Sequence, residues 1–343
     1  MSASTISPSA KPFCTGSWTE SAPNRRADLP QDIYPIELKA PDIAAYRAGN
    51  TGVEYVTTFD SGQPGPHVMI AAVTHGNELC GAIALDFLFG NNVRPVRGKL
   101  TLGFNNIAAF NKFDPANPTT SRFVDEDFNR VWAEAVLDGP RDSVELRRAR
   151  QIRPIVDTVD YLFDIHSMQH KTVPLLLSGP LEKGRQLARA MAYPEIVVSD
   201  QGHAAGKRLR DYRFFGDGTD KRNAMLIECG QHWERNSVEV AIESTLRFLK
   251  HTDIIDPAFI ARHSKKADVP QKVIEITDAI TVASEDFQFV QDFKGMEVIA
   301  RKGTVLGRDS GRDVLTPYDN CVLIMPSRWL TKGQTAVRLG RFV

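Results

Sequence analysis

The order of apolar runs along this chain predicts an α/β fold: a mixed, largely parallel sheet flanked by helices, with a small β-rich C-terminal domain. Three observations carry that expectation. Up to about residue 252, short apolar runs of strand length alternate with stretches of helical spacing, the pattern of strand–helix–strand units. Beyond residue 270 the character changes to short strands separated by Gly-, Asp- and Pro-containing turns. The chain has 343 residues, 42% of them hydrophobic, enough for one large core and a smaller one. The expected division is an N-terminal extension over 1–45, partly mobile, an α/β domain over 46–252 and a β-rich domain over 271–343.

The elements follow in order. Met1 to Asp28 is rich in Ser, Pro, Ala and Arg and has no apolar core of a signal peptide. Val53 to Phe59 alternates as a strand, and the turn Ser61 to Pro66 predicts a hairpin into the apolar run His67 to Val73. Leu79 to Phe89 has helical spacing, and Gly98 to Phe104 reads as a strand. Asp142 to Val159 predicts an Arg-rich amphipathic helix that Pro154 kinks or divides. Strands are expected over Tyr161 to His166, Val173 to Ser178, Ile196 to Ser199 and Met225 to Gly230, with helices over Pro180 to Ala192 and Ser237 to Thr252. Asp253 to Pro270 is a polar connector. Val273 to Thr277, Met296 to Ala300 and Cys321 to Met325 are the strands of the C-terminal part.

Composition narrows the function classes. Lys plus Arg and Asp plus Glu both total 42, so the net charge is zero, which argues against nucleic acid or a membrane surface as partner. No apolar run is long enough to span a bilayer. Cys14, Cys80, Cys229 and Cys321 are scattered without a CxxC pair and read as free thiols of a cytoplasmic protein. A homo-oligomer is compatible with the sequence, which does not fix the state.

The densest chemical signal is Thr74-His75-Gly76-Asn77-Glu78, directly after the apolar run 67–73. A turn at a strand's C-terminal end is where open α/β sheets keep their chemistry, and a His and a carboxylate three residues apart on it can reach one metal ion. A catalytic zinc usually takes three protein ligands. His67, His170, His203, His232, His251 and His263 compete for the third place, but His166 is preferred because it ends another apolar strand. Asp164 lies two residues before it, on the same strand face, placed to orient a ligand imidazole. His170, just beyond the strand, reads as a cleft or surface residue.

Two further stretches add candidates. Asn105 to Arg130 is rich in turns and presents Arg122 and the pair Asn129-Arg130, guanidiniums of the type that grip carboxylates or stabilise an oxyanion. The competing reading pairs these arginines with Asp125, Glu126 and Asp127 beside them. Glu228 sits on the otherwise apolar strand Met225 to Gly230, where a carboxylate without a partner or a function is costly. No GxSxG elbow and no P-loop spacing occurs, which sets aside serine-hydrolase and nucleotide-binding readings.

HGNE followed by Leu and Gly, then Arg122 with the Asp-x-Asp-x-Asn-Arg run at 125–130, then the strand-end Asp164-Ile165-His166 and the strand-borne Glu228, in that order, resemble the aspartoacylase/succinylglutamate desuccinylase family of the zinc carboxypeptidase-like fold. The resemblance covers about residues 53–252. It implies that His75, Glu78 and His166 ligate Zn2+ and that Glu228 is the general base acting on water. It implies that Arg122 polarises the scissile carbonyl, while Asn129 and Arg130 hold the carboxylate of a small N-acyl amino acid. The activity it implies is a zinc-dependent amidohydrolase, with a metallocarboxypeptidase and a non-catalytic binding protein as the alternatives. The chain departs from the family at Ser167-Met168-Gln169-His170, a segment expected to line the cleft, and by having no alignable side-chain-recognition arginine. Arg208, Arg210 and Arg213 read, at least two of them, as a solvated basic loop that Asp217, Asp220 and Lys221 share, in a position to gate the cleft. Tyr318 is the C-terminal residue expected to reach the cleft.

Overall fold

A computed structural model of the chain describes residues 34–203, 205–328 and 330–343. The expected mobile extension lies outside these residues as far as position 33, and so does Cys14.

Eleven strands form one mixed sheet. The α/β part contributes β1 (Val56–Asp60), β2 (His67–Ala72), β3 (Lys99–Phe104), β4 (Tyr161–Met168), β5 (Leu175–Leu177), β6 (Ile196–Ser199) and β7 (Asn223–Gln231). The C-terminal part contributes β8 (Lys272–Thr281), β10 (Val298–Ile299), β13 (Cys321–Ile324) and β14 (Thr335–Phe342). The spatial order is β1-β3-β2-β4-β7-β5-β6-β8-β14-β13-β10, while β9 (Gln288–Phe289), β11 (Val305–Asp309) and β12 (Arg312–Leu315) make a separate three-stranded sheet. The centre, β3-β2-β4-β7, is parallel. β5 runs antiparallel to β7, and β8, β14, β13 and β10 pair antiparallel in turn. Because β6 pairs with β8, the C-terminal strands extend the main sheet.

β2, β4 and β7 are buried along nearly their whole length, as strands covered on both faces must be. Helices α1 (Leu79–Gly90), α5 (Glu182–Met191) and α6 (Arg235–Thr252) pack on one face with Phe163, Ile165 and Ile227. α4 (Val144–Val156) packs on the other through Leu146, Ala149 and Ile152 against Leu162 and Met69. The short helices α2 (Ile107–Phe110), α3 (Glu134–Leu137) and α7 (Pro257–His263) sit in the connections. Pro154 lies inside α4, and the helix continues past it by two residues.

Two expectations are corrected. β1 does not form a hairpin with β2: β3 inserts between them, antiparallel to β1 and parallel to β2. The C-terminal part also holds β14, a strand that the alternation of apolar residues did not reveal. Its residues Ala336 to Gly340 are all buried, so no polar face marks it.

Candidate metal and hydrolytic site

The turn after β2 is built by close packing. Val73, directly after the strand, sits at φ +61°, a strained value for a β-branched residue, and turns the chain toward His75. Gly76 then passes so close to the 109–122 segment that a Cβ would lie 2.3 Å from the Ala109 carbonyl carbon, and its N–H donates to Arg122 O at 3.1 Å. Gly81 plays the same part in α1: a Cβ there would press to 2.9 Å on the Cβ of Ala72 in β2, so only glycine lets the helix lie this near the sheet. These two contacts hold His75 and Glu78 against the end of β4, where His166 waits.

His75, Glu78 and His166 converge so that one ligand atom from each lies within 4.8 Å of the others, and all three are buried. His75 Nδ1 is 2.7 Å from Glu78 Oε1, and His166 Nδ1 is 2.9 Å from Glu78 Oε2. The far nitrogens face carboxylates: His166 Nε2 is 2.9 Å from Asp164 Oδ2, and His75 Nε2 is 2.9 Å from Asp127 Oδ1. Thr74 Oγ1 donates to the other Asp164 oxygen at 2.9 Å, and Asn105 Nδ2 donates to Thr74 Oγ1 at 3.1 Å. Asp164 thus stands where the sequence expected an orienting carboxylate.

Charge accumulates here without full pairing. Glu78 Oε2 and His166 Nε2 have no hydrogen bond of acceptable direction despite their close neighbours. Burial pushes Glu78 upward, but His75 and His166 outweigh it and hold it well below the usual range. Burial lowers His166, yet Asp164 and Glu78 win and raise it well above an ordinary histidine. Two imidazoles and a carboxylate, with Glu78 Oε2 left without a hydrogen bond between them and carboxylates behind them, fit a borderline-soft divalent cation such as zinc.

Glu228 lies one strand away: its Cα is the register partner of His166 across the β4–β7 pair. Its Oε2 is buried with no partner. Burial raises its carboxyl to about 8, with Glu78 adding and His166 and Arg122 opposing. The arginines come from the long loop before α4. Glu145, fully buried on α4, folds that loop by accepting from the N–H groups of Val124, Asp125 and Glu126 at 2.6–3.2 Å. Arg122 Nη2 then meets His75 Nε2 at 2.9 Å and Asp127 Oδ2 at 3.1 Å. Asn129 and Arg130 follow on a 3-10 turn over Phe128–Arg130, with Asn129 Oδ1 accepting from Leu209 N at 2.9 Å. Of the three acids proposed as partners for these arginines, Asp127 takes Arg122 and lies 4.0 Å from Arg130.

A cavity of about 760 Å³ opens over the triad, and His75, Glu78, Arg122, Asn129, Arg130, His166 and Glu228 all line it. That volume suits a small molecule. Ser167, Met168, Gln169 and His170 line it too, as the sequence suggested. Several other expectations are corrected. Arg208 and Arg210 are 1% and 3% exposed rather than solvated, because Asp200 and Asp211 neutralise them inside the protein. Asp217, Asp220 and Lys221 are absent from the cavity wall, and the carbonyls of Asp217 and Asp220 accept from Lys183 Nζ instead. Tyr318 is also absent from it, its hydroxyl lying 2.6 Å from Thr277 Oγ1. Cys80, Cys229 and Cys321 are buried free thiols.

Among the lining residues that the sequence did not place in the cleft are His203 and His232, weighed there only for the third ligand position, and Arg338. His232 Nδ1 is 2.8 Å from Ser167 Oγ, its Nε2 has no partner, and burial lowers the ring to about 3. Arg338 had a usable signal, a charge inside the apolar run Ala336-Val337-Arg338-Leu339, the same signature that singled out Glu228. No helix among the described residues is long and apolar enough to cross a membrane.

Comparison with known proteins agrees with this architecture. The family described as "Succinylglutamate desuccinylase/Aspartoacylase catalytic domain" matches residues 64–251. A succinylglutamate desuccinylase of Pseudoalteromonas atlantica is 22% identical over 299 residues, covering 79% of each chain. Among solved structures, a succinylglutamate desuccinylase from Vibrio cholerae superposes with a TM-score of 0.62 at 15% identity, covering 84% of this chain and 86% of its own. A succinylglutamate desuccinylase/aspartoacylase from Rhodobacter sphaeroides gives 0.58 at 16% identity, covering 85% and 90%. The ectoine utilization protein EutE from Ruegeria pomeroyi gives 0.56 at 16% identity, covering 84% and 89%.

Proposed function

The chain belongs to the succinylglutamate desuccinylase/aspartoacylase family, and from that membership we propose that it is a zinc-dependent deacylase that hydrolyses the amide bond of a small N-acyl amino acid or a similar small amide. The observation that carries the reading is the convergence of His75, Glu78 and His166 beside an unpartnered buried carboxylate, Glu228, on one cavity wall. His75, Glu78 and His166 would hold the zinc ion, with Asp164 and Asp127 behind the two imidazoles. Zinc, when bound, supplies Lewis acidity that lowers the pKa of water and polarises a carbonyl.

The chain's own residues do the rest. Glu228, which a divalent cation held by the triad would keep ionised despite its burial, accepts a proton from the attacking water and passes it to the leaving amine, which requires a carboxylate that is buried but not already hydrogen-bonded. Arg122 presents its guanidinium to the carbonyl oxygen as negative charge develops there. Arg130 pairs with the carboxylate of the amino-acid moiety, and Asn129, whose Oδ1 is spent on Leu209 N, offers its NH2 group to the same carboxylate. The proposal assigns this chemistry to the domain 46–252. It assigns the rim of the cavity, including Met325, Pro326 and Thr335, to the C-terminal domain 271–343, which narrows the cleft against polypeptides.

The test is amine release from a panel of N-acetyl-, N-succinyl- and N-formyl-amino acids with tripeptides alongside. Hydrolysis of one acyl-amino-acid class is the expected result. Cleavage of tripeptides alone would make the protein a metallocarboxypeptidase.

A further inference from the structure

We propose that Arg338, delivered from β14 in the C-terminal part, is the second arm of the carboxylate clamp. With Arg130 it would grip one carboxylate of the substrate across His203. The inference rests on the deacylase reading for the identity of the substrate, but its geometry stands by itself. Arg130, His203 and Arg338 all line the cavity that opens over the metal triad. Arg338 is 3% exposed.

Donors outnumber acceptors around His203. Arg130 Nη2 lies 3.1 Å from His203 Nε2, and Arg338 Nη2 contacts the same ring nitrogen, with His203 Nδ1 at 2.9 Å. A guanidinium only donates, and a neutral imidazole has a single lone pair. His203 is held neutral, its pKa driven well down by burial and by Arg338, Arg130 and Arg208. Two donors therefore compete for one acceptor. Arg130 Nη1 donates to Asn129 O at 2.7 Å, but neither arginine has a carboxylate oxygen of its own. Arg338 Nε is 3.6 Å from Asp200 Oδ2, which Arg208 Nη1 already holds at 2.9 Å. Arg130 Nη2 is 4.0 Å from Asp127 Oδ2, which Arg122 holds at 3.1 Å. Burial lowers both guanidiniums, Arg338 to about 10. A buried guanidinium, Arg338, and a partly buried one, Arg130, both short of acceptors and pointing at one spot from opposite parts of the chain, form a cradle for a planar, two-oxygen anion, since each can take one carboxylate edge. The site is complete only when the C-terminal strand is in place.

The consequence is selectivity for a carboxylate over its neutral carboxamide. The full-length chain, with metal content matched between variants, is titrated with N-methanesulfonylglycine and with its carboxamide; the sulfonamide has no acyl carbonyl to hydrolyse, so binding is read without turnover. Wild type is expected to bind the acid at least tenfold more tightly than the amide. Arg338→Gln should weaken the acid at least tenfold and leave the amide within twofold. Arg338→Lys, which keeps a charge but loses the fork, should weaken the acid three- to tenfold and the amide not at all; it decides the matter should the Gln variant fail to fold. Equal weakening of both ligands, an unchanged acid affinity in the variant that folds, or a wild type without preference for the acid overturns the clamp. The acid preference in a protein that hydrolyses no N-acyl amino acid would keep the clamp and remove the deacylase reading. Hydrolysis without the preference would do the reverse.

Discussion

Arg247 on α6 and Arg338 on β14 are both buried arginines on regular elements, and their surroundings differ in one respect. Every nitrogen of Arg247 has an acceptor: Glu243 Oε1 at 2.6 Å, Met191 O at 2.9 Å, Asp268 Oδ1 at 2.7 Å and Lys266 O at 2.5 Å. Its partner Glu243 is equally saturated, accepting also from Ser264 Oγ and the N–H groups of Lys265 and Lys266. Arg338 shares a histidine lone pair with Arg130 and a carboxylate oxygen with Arg208. The same contrast separates Glu243 from Glu228, whose Oε2 is buried without a partner. A buried charge is tolerated when its hydrogen bonds are complete. Where they are complete the charge holds the fold together; where they are not, a ligand or a reaction completes them. Residues of the first kind should fail in stability and those of the second in activity.

Glu228→Gln should show the largest effect of the second kind. Its turnover is expected to drop by about 10²- to 10⁴-fold, the scale of a lost general base, while the melting temperature and bound zinc stay as in wild type. A variant with normal turnover would remove Glu228 from the role of base. Glu243→Ala should show the mirror image, a loss of about 3–5 kcal/mol in unfolding free energy with kcat of the folded protein unchanged. This loss is also pH-dependent. Burial pushes Glu243 upward, but the Lys265 N–H, Arg247 and Ser264 outweigh it and hold the folded pKa below the usual value. A carboxyl with a depressed folded pKa contributes fully above its unfolded value and loses the contribution as pH falls through the folded one. The stability gap between wild type and Glu243→Ala should therefore be constant above about pH 5 and shrink below the unfolded value of about 4.3, as followed by denaturant titrations across that range.

Smaller effects sharpen the contrast. Zinc at a hundredfold excess over its dissociation constant should stabilise the chain by about 2.7 kcal/mol, because His75, Glu78 and His166 are left incomplete without it. His166→Ala should abolish that stabilisation, and a zinc-induced shift that survives the change would place the ion elsewhere. Asp164→Asn keeps the ligands and alters only the group behind His166, so zinc affinity should fall by about 10- to 100-fold in a competition titration with a chelator.

How much of this was legible follows from the same distinction. β2, β4 and β7 are apolar runs, and His75, His166 and Glu228 stand out because each is a polar residue at or near the C-terminal end of such a run. The order His75, Glu78, His166, Glu228 was readable because parallel strands deliver these ends to one edge of the sheet. Pairing between distant segments was not. β3 separates β1 from β2, and no local pattern announces an inserted strand. Arg208 and Arg210 looked like a basic surface loop because the carboxylates that bury them, Asp200 and Asp211, gain meaning only when the loop closes. Arg338 was missed with its strand, since β14 is buried without alternation. The candidate metal ligands, with Arg122 and Arg130, could be found from the chain's local grammar, while the buried arginines Arg208, Arg210 and Arg338 needed the tertiary structure.

The central claim is that the incomplete charges around His75, Glu78 and His166 form a metal-dependent hydrolytic site. The most direct measurement is amine release from N-acyl amino acids by the full chain, first stripped with a chelator and then reconstituted with one equivalent of zinc. Activity that disappears on stripping and returns with zinc is the predicted result. Hydrolysis that persists in metal-free protein, or zinc that binds at the triad without any turnover of the panel, would contradict it.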